Sequence, residues 1–178
     1  MKKEALRAAA RKFGAAGIPI SAEVSVRVVG NVFKDEERAK RRAAVLVPLV
    51  RLGEAQEWSI LYTLRTQTVA THKGQVSLPG GHIELGETAE DAAVREAREE
   101  LGSGLGNVSI VSHMQQIPAL TGTLVTPVLG MVETPLSLSA LSPCTDEVER
   151  VFSRSVQELV STRKVERKEH RGFVYHMP

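Results

Sequence analysis

The chain has 178 residues, which is the usual length of one domain. Hydrophobic residues make up 42% of it and charged residues 25%, so a core of ordinary size can form. The formal net charge is only +2 and aromatic residues make up only 4%, which argues against a nucleic-acid-binding surface.

The first predicted element is a helix over residues 3–13 that ends at Gly14. Its sequence is basic and rich in alanine, as in a mitochondrial presequence, but the first 17 residues lack serine and contain Glu4. An amphipathic helix that covers the fold is the alternative. Because the single cysteine, Cys144, permits no internal disulfide, we expect a mitochondrial or cytoplasmic protein and not a secreted one. The last residues, His-Met-Pro, are not a peroxisomal signal.

The sequence divides into a helix and mixed-charge lead-in over residues 1–42 and a main domain over residues 43–178. Residues 43–50 form a short apolar run that is typical of a buried strand, and residues 58–66 are β-branched and aromatic, as in a second strand. A turn is predicted between them. The chain has no run of roughly 18 apolar residues, so the sequence predicts no transmembrane helix and no membrane partner.

Residues 76–81 read as a short strand that ends in a Pro-Gly-Gly breaker. A helix is predicted over residues 89–101, with Thr88 as its N-cap, Asp91 three residues further on, and Gly102 as the stop. Further strands are predicted over residues 107–117, 124–132, 148–155 and 172–177, and a short helix over residues 156–161. This intermingling predicts a mixed α/β domain.

The predicted helix contains the run Val-Arg-Glu-Ala-Arg-Glu-Glu-Leu-Gly, which places Glu96, Glu99 and Glu100 on one side. Clustered carboxylates repel each other, and a divalent cation with a preference for oxygen ligands, Mg²⁺ or Mn²⁺, would relieve that repulsion. The alternative is a solvated surface on which Arg95 and Arg98 pair with the glutamates.

The spacing of the charged and glycine residues resembles the Nudix box, a signature of hydrolases that cleave diphosphates. Two aliphatic slots of the box are occupied by Ala97 and Ser103, which we expect to affect packing and not metal binding. The box positions that match are Gly81, Glu87, Arg95, Glu96, Glu99, Glu100 and Gly102.

The resemblance implies a Nudix-like α/β/α sandwich with a mixed β-sheet. It implies that Glu96, Glu99, Glu100 and the backbone carbonyl of Gly80 bind Mg²⁺ or Mn²⁺, and that Arg95 orients the glutamates. The glutamate at position 87 would add negative charge. The general base varies within the family; Glu99 is the first candidate and Glu147 the second.

The preceding segment, residues 61–81, resembles the signature of coenzyme A diphosphatases, which implies coenzyme A or an acyl derivative as the small-molecule substrate. Predicted substrate-binding residues are Arg65, His72, Gly80 and Gly81. An arginine of the signature is replaced by Ala70. ADP-ribose, a dinucleotide, capped RNA, or binding of a nucleotide without cleavage therefore remain alternatives.

Family members usually continue past the strand that matches residues 172–177 into a final strand and a closing helix. We therefore expect a chain that is truncated, naturally short or completed by a partner, and a homodimer is one such arrangement.

Overall fold

A computed structural model of the chain describes residues 41–54, 56–67, 73–119, 122–162, 166–170 and 173–177. The predicted N-terminal helix and most of the lead-in lie outside these residues, as do Ala70 and His72. The division of the chain at residue 43 therefore stays a prediction. No helix among the described residues is long and apolar enough to cross a membrane.

The described residues form ten strands and two α-helices, with short 3-10 turns at Ser103–Leu105 and Leu138–Ala140. In chain order the elements are β1 (Arg41–Leu52), β2 (Glu57–Arg65), β3 (Val76–Ser77), β4 (Gly80–His82), α1 (Ala89–Leu101), β5 (Val108–His113), β6 (Ile117–Pro118), β7 (Thr123–Val132), β8 (Val148–Ser155), α2 (Val156–Ser161), β9 (Glu166–His170) and β10 (Phe173–Met177).

Strand β1 is the centre of a mixed sheet whose main order is β3-β2-β1-β7-β5. It pairs antiparallel with β2 and β4 and parallel with β7, while β8 pairs with the other side of β2. Because β1 has neighbours on both edges and packing on its faces, its central residues 43–50 are all apolar, which explains the continuous apolar run. The predicted mixed sheet is confirmed.

Helix α1 begins and ends where its local sequence predicts. The Thr88 hydroxyl oxygen accepts a hydrogen bond from the Asp91 N–H at 3.1 Å, which caps the N-terminus. At the other end Gly102 has a φ of +80°, a conformation that glycine adopts without strain, and its N–H donates to the Arg98 carbonyl. The predicted bounds 89–101 are therefore confirmed.

The buried face of α1 is made largely of alanine. The side chains of Ala92, Ala93 and Ala97 are fully buried and join Leu46 of β1 and Val128 of β7 in one hydrophobic core. Small side chains allow a helix to approach a sheet closely, so the small residue at position 97 is a packing feature of this contact.

The strands near the helix are more divided than the sequence predicts. The predicted strand over residues 76–81 is two strands, because β3 pairs with β2 whereas β4 pairs with β1. Pro79 lies between them and its carbonyl accepts a hydrogen bond from the Leu46 N–H at 2.8 Å. The predicted strand over residues 107–117 is likewise split into β5 and β6, which both pair with β7.

At the C-terminal end of the described chain, β10 confirms the strand predicted there. It pairs antiparallel with β9, which the sequence analysis did not predict. Strand β9 reads Glu-Arg-Lys-Glu-His and carries no apolar alternation, so no periodic signal marks it.

We predict that Ala97→Leu lowers the free energy of unfolding by about 1–3 kcal/mol, because the larger side chain overpacks the contact between α1 and the sheet. Urea denaturation measures this change. The matched control is Arg98→Leu at the exposed neighbouring position, which should change stability by less than about 0.5 kcal/mol. Equal losses in the two variants would contradict the packing role of Ala97.

Candidate active site

The Gly80–Gly81 pair lies where β4 is enclosed between β1 and helix α1. A side chain at Gly80 would overlap the Ala44 carbonyl oxygen and the Val45 backbone of β1. A side chain at Gly81 would overlap the carboxylate of Glu96. Glycine at both positions is therefore what brings the backbone of β4 within contact distance of the acidic helix.

Arg95 binds Glu96 and Glu99 of α1 and also Glu87, which precedes the helix. Its Nε lies 2.8 Å from Glu87 Oε1 and its Nη2 lies 3.0 Å from Glu87 Oε2, so the pair is bidentate. Its Nη1 donates to Glu96 Oε1 at 3.0 Å and lies 3.5 Å from Glu99. The Nη2 also donates to the His82 carbonyl at 3.1 Å, which joins α1 to β4.

The contact between Arg95 and Glu87 changes the pKa values of both groups. The hydrogen bond from Arg95 holds the pKa of the Glu87 carboxyl below its usual range, and the same carboxylate raises the pKa of Arg95. Both groups therefore stay charged at neutral pH. The ion pairs are those expected for a guanidinium that orients neighbouring carboxylates.

Glu100 faces the interior, unlike the exposed Glu99 beside it. Its side chain is buried, and its Oε1 lies 3.5 Å from the Gly80 N–H and 3.6 Å from Arg65 Nη1. Its Oε2 is buried and has no hydrogen-bond partner among the described residues. Burial raises the pKa of Glu100 to about 7, and the backbone N–H of Gly80 and the charge of Arg65 only partly oppose that rise.

Glu147 reaches the same region from a loop. The Cys144 N–H donates to the Glu100 carbonyl at 3.0 Å, so this loop caps the C-terminus of α1. The Thr66 N–H donates to the Glu147 carbonyl at 2.9 Å, which ties the loop to the end of β2. Arg65 Nη2 then lies 3.6 Å from Glu147 Oε2, so the guanidinium stands between two carboxylates.

The structure thus brings most of the predicted site residues together, in two groups. Arg95 contacts Glu87, Glu96 and Glu99, while Arg65 lies between Glu100 and Glu147. The sequence analysis missed Thr66 and the backbone of Cys144, which fix the loop. No local signal marks them, because each of their contacts joins segments that lie far apart in the sequence.

Among the residues that the structure describes, no three acidic, histidine or cysteine side chains are grouped closely enough to hold a metal ion as they stand. The donors nevertheless fit a hard divalent cation. Glu100 presents a buried carboxylate oxygen that has no hydrogen-bond partner in the described part of the chain, and a cation would satisfy it. The absent side chain of Gly81 leaves room for the Glu96 carboxylate beside the β4 backbone.

A comparison with family models matches residues 40–177 to the NUDIX domain. The chain belongs to the Nudix domain family. Nudix hydrolase 3 of Caenorhabditis elegans is 30% identical to it over 141 residues, which are 79% of this chain and 58% of that protein. The uncharacterized Nudix hydrolase NudL of Cronobacter sakazakii is 37% identical over 120 residues, 67% of this chain and 59% of that protein. The chain therefore spans less than two thirds of the length of these relatives.

Solved Nudix structures share the fold. RenU, a Nudix hydrolase from M. smegmatis, superposes with a TM-score of 0.54 at 21% identity, covering 68% of this chain and 74% of that one. The MutT protein of Methanosarcina mazei Go1 gives 0.51 at 20% identity, with 70% and 84% covered. The predicted Nudix-like α/β fold is confirmed by these similarities.

We predict that, in the presence of a chelator, the buried Glu100 makes the stability of this Nudix domain fall as the pH rises. A carboxyl whose pKa is higher in the folded chain favours folding when protonated. That contribution is complete below pH 4.5, the ordinary pKa of Glu, and is lost as the pH passes through about 7. Between these two pH values, ionisation of Glu100 lowers the free energy of unfolding by an amount on the order of 2–3 kcal/mol.

Urea denaturation of the wild type and of Glu100→Gln across this pH range measures the loss. The glutamine variant has no proton to release at this position, so the difference in stability between the two proteins should change with pH. Parallel stability curves would show that Glu100 does not ionise in this window.

Proposed function

We propose that this Nudix chain is a divalent-metal-dependent hydrolase that cleaves the diphosphate bond of a nucleoside diphosphate derivative. The observation that carries the proposal is the buried carboxylate of Glu100 at the Gly80 backbone, on the same helix as Glu96 and Glu99. Family membership supports it, because Nudix hydrolases generally require divalent cations and act on small nucleotide substrates.

The metal ligands proposed are Glu96, Glu99, Glu100 and the carbonyl of Gly80, and the cation is Mg²⁺ or Mn²⁺. Such an ion, when bound, neutralises the charge of a diphosphate and lowers the pKa of a coordinated water. The protein supplies the positioning. The absence of side chains at Gly80 and Gly81 lets strand β1 and the acidic helix approach the same stretch of backbone, and Arg95 orients its neighbouring carboxylates.

Glu99 is the first candidate for the general base. Its side chain is 60% exposed, so it can reach a water on the open side of the site, and Arg95 limits its directions. Glu147 is the second candidate, because its side chain is 52% exposed and it lies on the same side as Glu100. An effective base needs both access to water and a fixed direction, and each carboxylate meets these two conditions.

For the substrate we propose coenzyme A or an acyl-coenzyme A, cleaved to adenosine 3′,5′-bisphosphate and (acyl-)4′-phosphopantetheine. Support comes from the signature resemblance over residues 61–81, which includes Arg65 and His72. The reaction, substrate and compartment of the whole protein are proposals, since the chain spans about 58–59% of the relatives' length. A mitochondrial or cytoplasmic location and a homodimer also remain predictions.

The replacement at Ala70 favours a second candidate substrate class. An arginine at that position would offer a bidentate fork to the 3′-phosphate of coenzyme A, and alanine offers none. ADP-ribose, a dinucleotide and a capped RNA 5′ end do not need an arginine at that position to bind a 3′-phosphate. The alternative that is not an enzyme is a module that binds a nucleotide without cleaving it.

A substrate panel tests the proposal. Purified protein with Mg²⁺ or Mn²⁺ is incubated with coenzyme A, acetyl-coenzyme A, ADP-ribose, NADH and capped RNA, and the products are identified by mass. Release of adenosine 3′,5′-bisphosphate supports the coenzyme A class. Turnover of another compound with coenzyme A intact would refute that substrate, and binding without any turnover would refute hydrolysis.

We predict that Glu99→Gln and Glu100→Gln each lower kcat by about 100-fold to 10,000-fold on the substrate that is turned over, because each removes a charged oxygen from the site. The matched control is Glu133→Gln, which lies beyond the far end of β7 and accepts a hydrogen bond from Ser109. Circular dichroism confirms folding. Wild-type rates in the two helix variants would remove them from the proposed machinery.

A further inference from the structure

Arg65 is the last residue of β2, and its guanidinium lies between carboxylates from two separate parts of the chain. Its Nη1 is 3.6 Å from Glu100 Oε1 and its Nη2 is 3.6 Å from Glu147 Oε2. Only 19% of its side chain is exposed, and its Nε is buried without a hydrogen-bond partner in the described part of the chain. The charged end therefore faces the acidic pair and not the solvent.

The backbone of Glu147 does not depend on this contact. Its N–H donates to the Cys144 carbonyl at 3.1 Å and its carbonyl accepts from the Thr66 N–H at 2.9 Å. These bonds fix the backbone position of Glu147, but they do not determine the rotamer of its half-exposed side chain. Among the described contacts, Arg65 is the group that gives the Glu147 carboxylate a direction.

Repulsion between the two carboxylates explains why the Glu147 side chain needs a group that orients it. Glu100 and Glu147 are close enough to repel each other, and an exposed carboxylate escapes repulsion by turning towards water. Glu100 has no such freedom, because burial and the Gly80 N–H hold it in place. The positive charge of Arg65 between the two carboxylates makes the inward orientation of Glu147 favourable. Arg65 therefore determines the orientation of Glu147 and not that of Glu100.

We propose that Arg65 is a positioning residue that aims the Glu147 carboxylate into the site beside Glu100. The inference rests on the proposed function, because the orientation of Glu147 affects turnover only if this site cleaves a diphosphate. It gives Arg65 a different role from the substrate binding that the sequence predicts. The guanidinium donors that a diphosphate would use are directed at two carboxylates.

A double-mutant cycle tests this role through Arg65→Met, Glu147→Gln and the double variant, assayed on the substrate that is turned over. Each single variant should lower kcat by about tenfold or more and leave KM within about twofold of the wild type. The double variant should be no slower than the slower single variant, because Arg65→Met turns the Glu147 carboxylate out of the site and Glu147→Gln replaces that same carboxylate. Additive losses, or a rise in KM as the main effect of Arg65→Met, would overturn the proposal.

Two further variants complete the assay. Arg65→Lys keeps the positive charge and should recover part of the lost kcat. Arg154→Met is the matched control, since Arg154 lies on the neighbouring strand β8 and pairs with Glu158 at 3.1 Å on the surface. It should keep the wild-type kcat and KM. A lysine variant no faster than the methionine variant would count against a role for the charge.

A crystal structure of Arg65→Met, grown with a chelator, supplies a result that does not depend on turnover. The Glu147 carboxylate should turn away from Glu100 into solvent, whereas the wild type under the same conditions keeps it beside Arg65. Arg65→Gln is the second variant if the methionine variant does not fold. An unchanged Glu147 orientation would overturn the proposal. If no diphosphate is cleaved, the proposed function fails and this orientation still decides the role of Arg65.

Discussion

The close contact between helix α1 and the backbone of β4 is the constraint on which the acidic site depends. The Glu96 carboxylate occupies the volume that a side chain at Gly81 would need, and a side chain at Gly80 would overlap β1. The buried alanines of the helix, including Ala97, allow the same approach on the core side. One packing arrangement thus brings Glu96 and Glu100 to the backbone of the two glycines of β4.

Electrostatics then determine how these carboxylates are arranged. Five of them, Glu87, Glu96, Glu99, Glu100 and Glu147, share two guanidinium groups, those of Arg65 and Arg95. Five negative groups against two positive ones leave a surplus of acid when all are ionised, and burial opposes ionisation of the innermost one. The surplus suits a divalent cation, while each arginine limits the directions of the carboxylates that it contacts.

The sequence predicts those parts of the structure that are determined locally. The bounds of α1 follow from its Thr88 cap and its Gly102 stop, and the register of the glutamates follows from helical spacing. It does not predict that Glu100 faces the interior, because the depth of a residue depends on which strands lie under the helix. The sequence also does not predict the contact between Arg65 and Glu147, since that contact requires β2 to pair with β8, a strand far from it in the sequence.

The binding of Mn²⁺ to the substrate-free protein tests most directly whether this acidic surplus forms a metal site. Electron paramagnetic resonance gives the affinity for the wild type, for Glu100→Gln and for the distant Glu133→Gln control. The account predicts that Glu100→Gln weakens Mn²⁺ binding by at least about tenfold, whereas the control leaves it unchanged. Equal Mn²⁺ affinities in all three proteins would contradict it.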